Sequence, residues 1–148
     1  MEGIGDDFIT IGDISDDDAH SGGIIRGNDF QVGAACGVLT RASNLSIEKN
    51  RILNRLEAGI SMTECGAIQH VTLRGNHVED TCFRSISGAG FCPCTTTAAV
   101  EMGGRNPATD PLKSDILIEG NTIVRPRGSA VTGTDNKVIA TGLYALEQ

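Results

Sequence analysis

The segments VTLRGNHV at 71–78 and ILIEGNTI at 116–123 share one pattern: an asparagine has an apolar residue three positions before it and another two positions after it. The same pattern occurs in IIRGNDF at 24–30 and in LSIEKNRI at 45–52. The four asparagines, separated by 22, 26 and 45 residues, are Asn28, Asn50, Asn76 and Asn121. Because periods of about 20–50 residues are typical of repeat proteins, the sequence predicts a solenoid.

The register extends beyond each asparagine. A small residue stands nine positions after it and an apolar residue ten positions after it, in the pairs Gly37-Val38, Gly59-Ile60, Ser85-Ile86 and Ala130-Val131. The 45-residue interval is either two coils or one coil with an insertion. Prolines and glycines in 89–114, with no further asparagine motif, favour a long loop insertion there that contains one short strand, Ala98–Met102.

Apolar residues alternate within each short run, as at Leu45 and Ile47 and again at Val71 and Leu73, which is the spacing of a β-strand. Short strands in coils of about 22 residues predict an all-β, right-handed parallel β-helix of about five coils, forming a single domain over 1–148. Coils would stack about 4.8 Å apart. We expect each asparagine to adopt the left-handed conformation at a corner, and its amide to join a hydrogen-bonded ladder.

Composition excludes several classes of function. The formal net charge is −7 and aromatic residues make up 3% of the chain, so neither bulk electrostatics nor an aromatic platform favours a nucleic-acid partner. No apolar run approaches 18 residues, so we expect no membrane span.

Together these motifs resemble the right-handed parallel β-helix (pectin-lyase-like) superfamily, which includes polygalacturonases and pectate lyases. The resemblance covers about residues 5–134 and implies a carbohydrate-related protein with a polysaccharide or oligosaccharide partner. Locally, Gly5-Asp6-Asp7-Phe8-Ile9-Thr10-Ile11 is similar to the segment of polygalacturonase-type glycoside hydrolases that carries paired catalytic aspartates. This similarity implies that Asp6 and Asp7 act in polysaccharide hydrolysis.

Stacking adds a third carboxylate. When Ile9 is aligned with Val38, Ile60 and Ile86, Asp6 and Glu57 share a column two coils apart, so their backbones would lie about 9–10 Å from each other. Carboxylates about 6.5–9.5 Å apart suit inverting glycoside hydrolysis. We therefore expect Asp6, Asp7 and Glu57 to be catalytic, in a groove where Arg41, Glu64 and Arg84 contact substrate; a polar surface column is the alternative.

A non-catalytic β-helix also remains open. In the resembled enzymes, the coil after the aspartates carries Gly-His-Gly and the next coil carries Arg-x-Lys. Here these places hold Cys36 and the neighbourhood of Ser61. Such a protein would serve in binding or assembly. The open ends of a solenoid predict a homo-oligomer, or a chain that is a fragment of a longer β-helix.

No feature demands a cofactor. The loop with Asp13, Asp16, Asp17 and Asp18 offers the oxygen ligands that calcium prefers, but its spacing is not that of a known calcium loop. No secretory signal precedes Asp6, whereas the resembled family is usually secreted, so localisation stays open.

Overall fold

A computed structural model describes residues 8–11, 21–62, 68–81, 98–102, 113–126, 129–133, 138–141 and 144–146. In these ranges the chain forms three sheets of five strands, and every pairing is parallel. Successive strands enter the three sheets in turn, so each circuit of the chain adds one strand to every sheet. The predicted parallel β-helix is confirmed.

The strands have the following bounds. Sheet 1 contains β1 (Ile9–Ile11), β4 (Val38–Thr40), β7 (Ile60–Ser61), β10 (Ala98–Met102) and β13 (Ser129–Gly133). Sheet 2 contains β2 (Ser21–Arg26), β5 (Ser43–Glu48), β8 (Ile68–Arg74), β11 (Lys113–Glu119) and β14 (Val138–Thr141). Sheet 3 contains β3 (Asp29–Phe30), β6 (Arg51–Leu53), β9 (His77–Glu79), β12 (Thr122–Val124) and β15 (Tyr144–Leu146).

The interior consists of apolar columns that the repeat predicts. The residue three positions before each motif asparagine is buried, and so is the residue two positions after it. The first column is Ile25, Ile47, Leu73 and Ile118, and the second is Phe30, Ile52, Val78 and Ile123. Each fully buried side chain of this size contributes roughly 1.5–3 kcal/mol, so the columns are the main apolar stabilisation of the stack.

The four asparagines form the predicted ladder. Nδ2 of Asn28 donates to Oδ1 of Asn50 (3.0 Å), Asn50 donates likewise to Asn76 (3.0 Å), and Asn76 to Asn121 (2.8 Å). Each Oδ1 also accepts the backbone N–H of the preceding asparagine. The second Nδ2 proton of Asn50 reaches the carbonyl of Ile25 (2.9 Å), with equivalent bonds from the two later asparagines.

One part of the corner prediction is wrong. The left-handed conformation belongs to the residue before each asparagine, with φ of 69° at Gly27, 52° at Lys49, 63° at Gly75 and 59° at Gly120. That residue turns the chain, and the asparagine is left free to use its amide for the ladder. Two further left-handed columns lie six positions before and four positions after the asparagine: Gly22, Asn44, His70 and Asp115, then Val32, Asn54, Asp80 and Arg125.

The 45-residue interval is one coil, because Asn76 bonds directly to Asn121 and β8 pairs with β11. The predicted strand Ala98–Met102 is present as β10, and it lies in sheet 1 between β7 and β13. The predicted register of Ile86 is wrong, because the residue opposite Ile60 is Val100. Surplus residues therefore precede β10 as well as follow it, with 82–97 on one side and 103–112 on the other.

Small residues mark the corner that leads into sheet 1. A Cβ on Gly37 would lie 2.5 Å from Cγ2 of Ile52, and one on Gly59 would lie 2.4 Å from Cγ1 of Val78. The inner surface of this corner is therefore filled by side chains from sheet 3. Cys36 and Ala58, the residues immediately before these glycines, are buried together with Leu39 in a small cluster outside the main core.

Candidate functional site

Three neighbouring side chains on the outer face of sheet 1 are shielded from solvent. Ser61 lies between Ile60 and Met62, and Glu101 between Val100 and Met102; these four neighbours belong to the core, so Ser61 and Glu101 point outward. The outer column, in register across the sheet, includes Thr10, Leu39, Ser61 and Glu101. Leu39, Ser61 and Glu101 are only 6%, 0% and 7% exposed.

Glu57 joins this side of the molecule at the corner before β7. Its Oε2 lies 3.7 Å from Sγ of Cys36, whose thiol donates to the carboxylate. Cys36 forms a small apolar cluster with Leu39 and Ala58 that is separate from the main core. Glu57 itself is 8% exposed, so the carboxylate and the thiol meet in a protected position.

The buried side chain of Arg55 stabilises the same corner through hydrogen bonds to its backbone. Its Nε donates to the carbonyl of Ala35 (2.8 Å) and its Nη2 to that of Cys36 (2.6 Å), and the side chain is fully buried. The guanidinium carbon lies 4.3 Å from the ring centre of Phe8, which stacks on Phe30 at 5.2 Å. This arrangement ties β1 to the backbone that holds Cys36 beside Glu57.

Arg41 follows β4 and donates its backbone N–H to the carbonyl of Ile11 (2.9 Å). Its residue is 6% exposed, so this predicted substrate contact is buried in the structure. The described part of the chain therefore places Glu57 and Arg41 near sheet 1, both shielded. The remaining predicted residues lie outside the described ranges: Asp6, Asp7, Glu64, Arg84 and the acidic loop of Asp13, Asp16, Asp17 and Asp18.

The alignment of Ile9 with Val38 and Ile60, which motivated the site, is confirmed. The extension of this alignment to Ile86 is wrong, because Val100 lies opposite Ile60. The correct register brings in Glu101, which sequence reasoning missed. Its signal was present: Ala99-Val100-Glu101 repeats the small, apolar, polar order of Gly59-Ile60-Ser61.

Sheet 2 presents a different outer face, on which charges alternate along one column. The side chains of Arg26 and Arg74 are 55% and 52% exposed, and they pair with Glu48 (2.8 Å) and Glu119 (2.9 Å). A hydrogen bond from Ser46, then the nearby arginines, hold the pKa of Glu48 below its ordinary value despite partial desolvation. Because opposite charges alternate from coil to coil, they attract neighbouring coils to each other and leave no surface of a single charge sign for a charged polymer to bind.

A second ionic cluster lies where strands β9 and β12 of sheet 3 end. Arg125 donates to Asp80 through Nε (2.9 Å) and Nη2 (2.8 Å) and also contacts Glu79. A hydrogen bond from His77, then those from Arg125, lower the pKa of Glu79, while Asp80 and Glu79 raise that of Arg125. The cluster links neighbouring coils at the surface.

In the described ranges, no three side chains of His, Cys, Asp or Glu converge where a metal ion would bind. The part of the chain that the structure describes contains no helix that could span a lipid bilayer.

Comparison with known proteins gives one match. Residues 17–106 match a family model described as "right handed beta helix region". This segment holds three of the four ladder asparagines and three strands of sheet 1, namely β4, β7 and β10. No curated protein and no solved structure matches the chain.

Proposed function

Because the chain belongs to the right-handed β-helix family, we propose that it is a carbohydrate-related protein that acts on a polysaccharide at the outer face of sheet 1. The observation that carries the proposal is the concentration of shielded ionisable groups there. Arg41, Glu57 and Glu101 are each less than a tenth exposed. Ionisable groups that lie close together in a shielded place are candidates for a functional site.

The chemistry of these groups suits cleavage of a glycosidic bond. Glycoside hydrolysis uses two carboxyl groups, one as an acid and one as a base or nucleophile, whose environments separate their pKa values. Glu57 beside a thiol and Glu101 beside Ser61 have different surroundings, which supports such a division. In this proposal Asp6 and Asp7 join Glu57 in the reaction, and the buried guanidinium of Arg41 orients the sugar.

The test is a panel of neutral and uronate polysaccharides. Formation of reducing ends would identify hydrolysis, and formation of unsaturated products would identify lysis. We expect Glu57→Gln and the double change Asp6→Asn/Asp7→Asn to lower the rate about 100-fold or more, the typical contribution of general acid–base catalysis. Glu119→Gln, a half-exposed glutamate on sheet 2, is the matched control and should keep full activity.

Unchanged activity in those site variants, with the fold intact by circular dichroism, would overturn the site assignment. Burial favours a second candidate, a non-catalytic β-helix for binding or assembly, because shielded Arg41 and Glu57 then serve only to hold neighbouring coils together. In that case no polysaccharide yields products, and Glu57→Gln lowers stability instead of a rate.

A further inference from the structure

The residues assigned to the site on sheet 1 carry an excess of negative charge, which bears on the kind of polysaccharide that can bind there. Glu57 and Glu101 are 8% and 7% exposed, and Arg41 is 6% exposed. The proposed function adds the carboxyl groups of Asp6 and Asp7. Carboxyl groups therefore outnumber guanidinium groups among these residues, just as acidic residues outnumber basic ones by 19 to 12 in the whole chain.

Most of the described cations are already engaged elsewhere. The guanidinium of Arg55 donates to two backbone carbonyls and lies against the ring of Phe8. Lys49 stands at the corner between β5 and β6, which belong to sheets 2 and 3. The four exposed arginines of the described ranges each pair with a carboxylate: Arg26 with Glu48, Arg51 with Asp29, Arg74 with Glu119 and Arg125 with Asp80. A polymer with a carboxylate on every sugar would have to break existing ion pairs to reach these arginines.

Carboxylates of the protein and sugars suit each other when the sugar is uncharged. An ionised carboxylate only accepts hydrogen bonds, and a sugar hydroxyl can donate to it. The carboxylate of a uronate sugar has no proton to donate at neutral pH, and it repels a second carboxylate. Shielding from water strengthens this repulsion at Glu57 and Glu101, because the effective dielectric constant around them is lower than in bulk water.

We infer that the site on sheet 1 takes a neutral polysaccharide, an inference that rests on the proposed function. The sugars of such a polymer carry hydroxyl groups and no carboxylate or sulfate. Its cleavage is hydrolysis, because elimination removes a proton next to the sugar's own carboxyl group, which a neutral sugar lacks. One water balances the reaction: its oxygen bonds to the anomeric carbon, the bond from that carbon to the bridging oxygen breaks, and a proton of the water ends on the departing hydroxyl group.

The experiment uses pairs of polymers that differ only in charge. Chemical reduction of the carboxyl groups of a uronate polymer gives a neutral polymer with the same linkages, and several such pairs sample different linkages. Calorimetric titration measures the Kd of the native chain for both members of each pair, and reducing ends report cleavage. We expect the neutral member of at least one pair to bind about tenfold tighter or more, because like charges brought together on binding are strongly unfavourable. This preference should shrink in 1 M salt, where the Debye length is about 3 Å.

Two variants separate the charge at the site from the net charge of the protein. Glu101→Gln removes one carboxylate from the outer face of sheet 1 and should reduce the preference for the neutral member about threefold or more. Asp115→Asn removes the same charge from sheet 2, where Asp115 is exposed beside His70 and pairs with no arginine in the described ranges. This control should leave the preference unchanged. Should Glu101→Gln fail to fold, the preference of the native chain and its salt dependence still decide.

The outcomes distinguish failure of this inference from failure of the proposed function. Tighter binding or faster cleavage of the uronate member, or equal binding of both members, overturns the inference and leaves the proposed function standing. Absence of binding and of cleavage across all pairs overturns the proposed function and the inference with it. A preference that Asp115→Asn lowers as much as Glu101→Gln does would arise from net charge, which overturns its assignment to sheet 1.

Discussion

The guanidinium of Arg55 fills the space that any side chain at position 33 would need. A Cβ on Gly33 would lie 1.6 Å from Nη1 of Arg55 and 2.3 Å from its Cζ. The two residues also form a parallel bridge between neighbouring coils. The fully buried arginine of one coil can therefore pack in this position only because the neighbouring coil has a glycine there.

This coupling predicts a non-additive pair of substitutions. Gly33→Ala should lower the free energy of unfolding by about 2–3 kcal/mol through overpacking. Arg55→Ala should lower it by about 2–4 kcal/mol, because the carbonyls of Ala35 and Cys36 lose their charged donor. In the double variant the alanine at 33 meets no guanidinium, so the loss should not exceed that of Arg55→Ala alone. Additive losses in denaturant unfolding would contradict this account.

The amide ladder predicts a gradient of sensitivity along the stack. Asn76→Ala removes the acceptor for two donors of Asn50 and the donor to the carbonyl of Ile47, all buried, and should cost about 2–4 kcal/mol. Asn28→Ala, at the partly exposed first position, should cost about 1 kcal/mol or less. Equal losses in chemical denaturation would show that the buried ladder is not the source of stability.

Val32 is a β-branched residue held at a φ of 30°, in a column where Asn54 adopts the same left-handed conformation. Val32 is 54% exposed, so little packing is lost on substitution. Val32→Asn should therefore raise the free energy of unfolding by about 1 kcal/mol, since asparagine tolerates this conformation. Ile24→Asn, at an exposed strand position that is not left-handed, is the control and should be neutral or destabilising. A loss of stability in Val32→Asn would contradict the assignment of strain.

Protonation of Glu79 should account for part of the loss of folding stability at low pH. Its pKa is lowered from 4.5, chiefly by the hydrogen bond from His77, with Arg125 adding further stabilisation. A carboxylate with a lowered folded-state pKa stabilises the protein above its unfolded pKa, and this contribution disappears as pH falls through the folded value. Glu79→Gln should therefore flatten the loss of stability below about pH 4.5. Arg125→Met should flatten it partly, and an unchanged pH profile in both variants would refute the role of this cluster.

Much of the architecture could be predicted from the spacing of apolar residues around Asn28, Asn50, Asn76 and Asn121. Stacked strands force interior positions into columns, so a period-two pattern with a recurring asparagine indicates both the fold and its register. The corner conformation was assigned to the wrong residue because Asn and Gly both tolerate it, and Lys49 interrupts the glycine column that would have identified the position before the asparagine.

The register failed where the repeat is interrupted. Ser85-Ile86 and Ala99-Val100 both fit the rule of a small residue followed by an apolar one. The repeat alone does not determine which of the two pairs lies in sheet 1. Glu101 was missed for this reason. The burial of Glu57 and Arg41 could not be predicted either, because outer-face positions of a sheet normally face water and the repeat records only which residues point inward.

The hydrogen bond between Asn76 and Asn121 closes a circuit twice as long as the 22 residues between Asn28 and Asn50. Strand pairing on either side of that circuit keeps the same one-to-one register. The strands therefore keep their register whether successive ladder asparagines are 22 or 45 residues apart in the sequence. This coil is a natural position for grafting foreign peptides, since new sequence there can vary in length while the scaffold keeps its geometry.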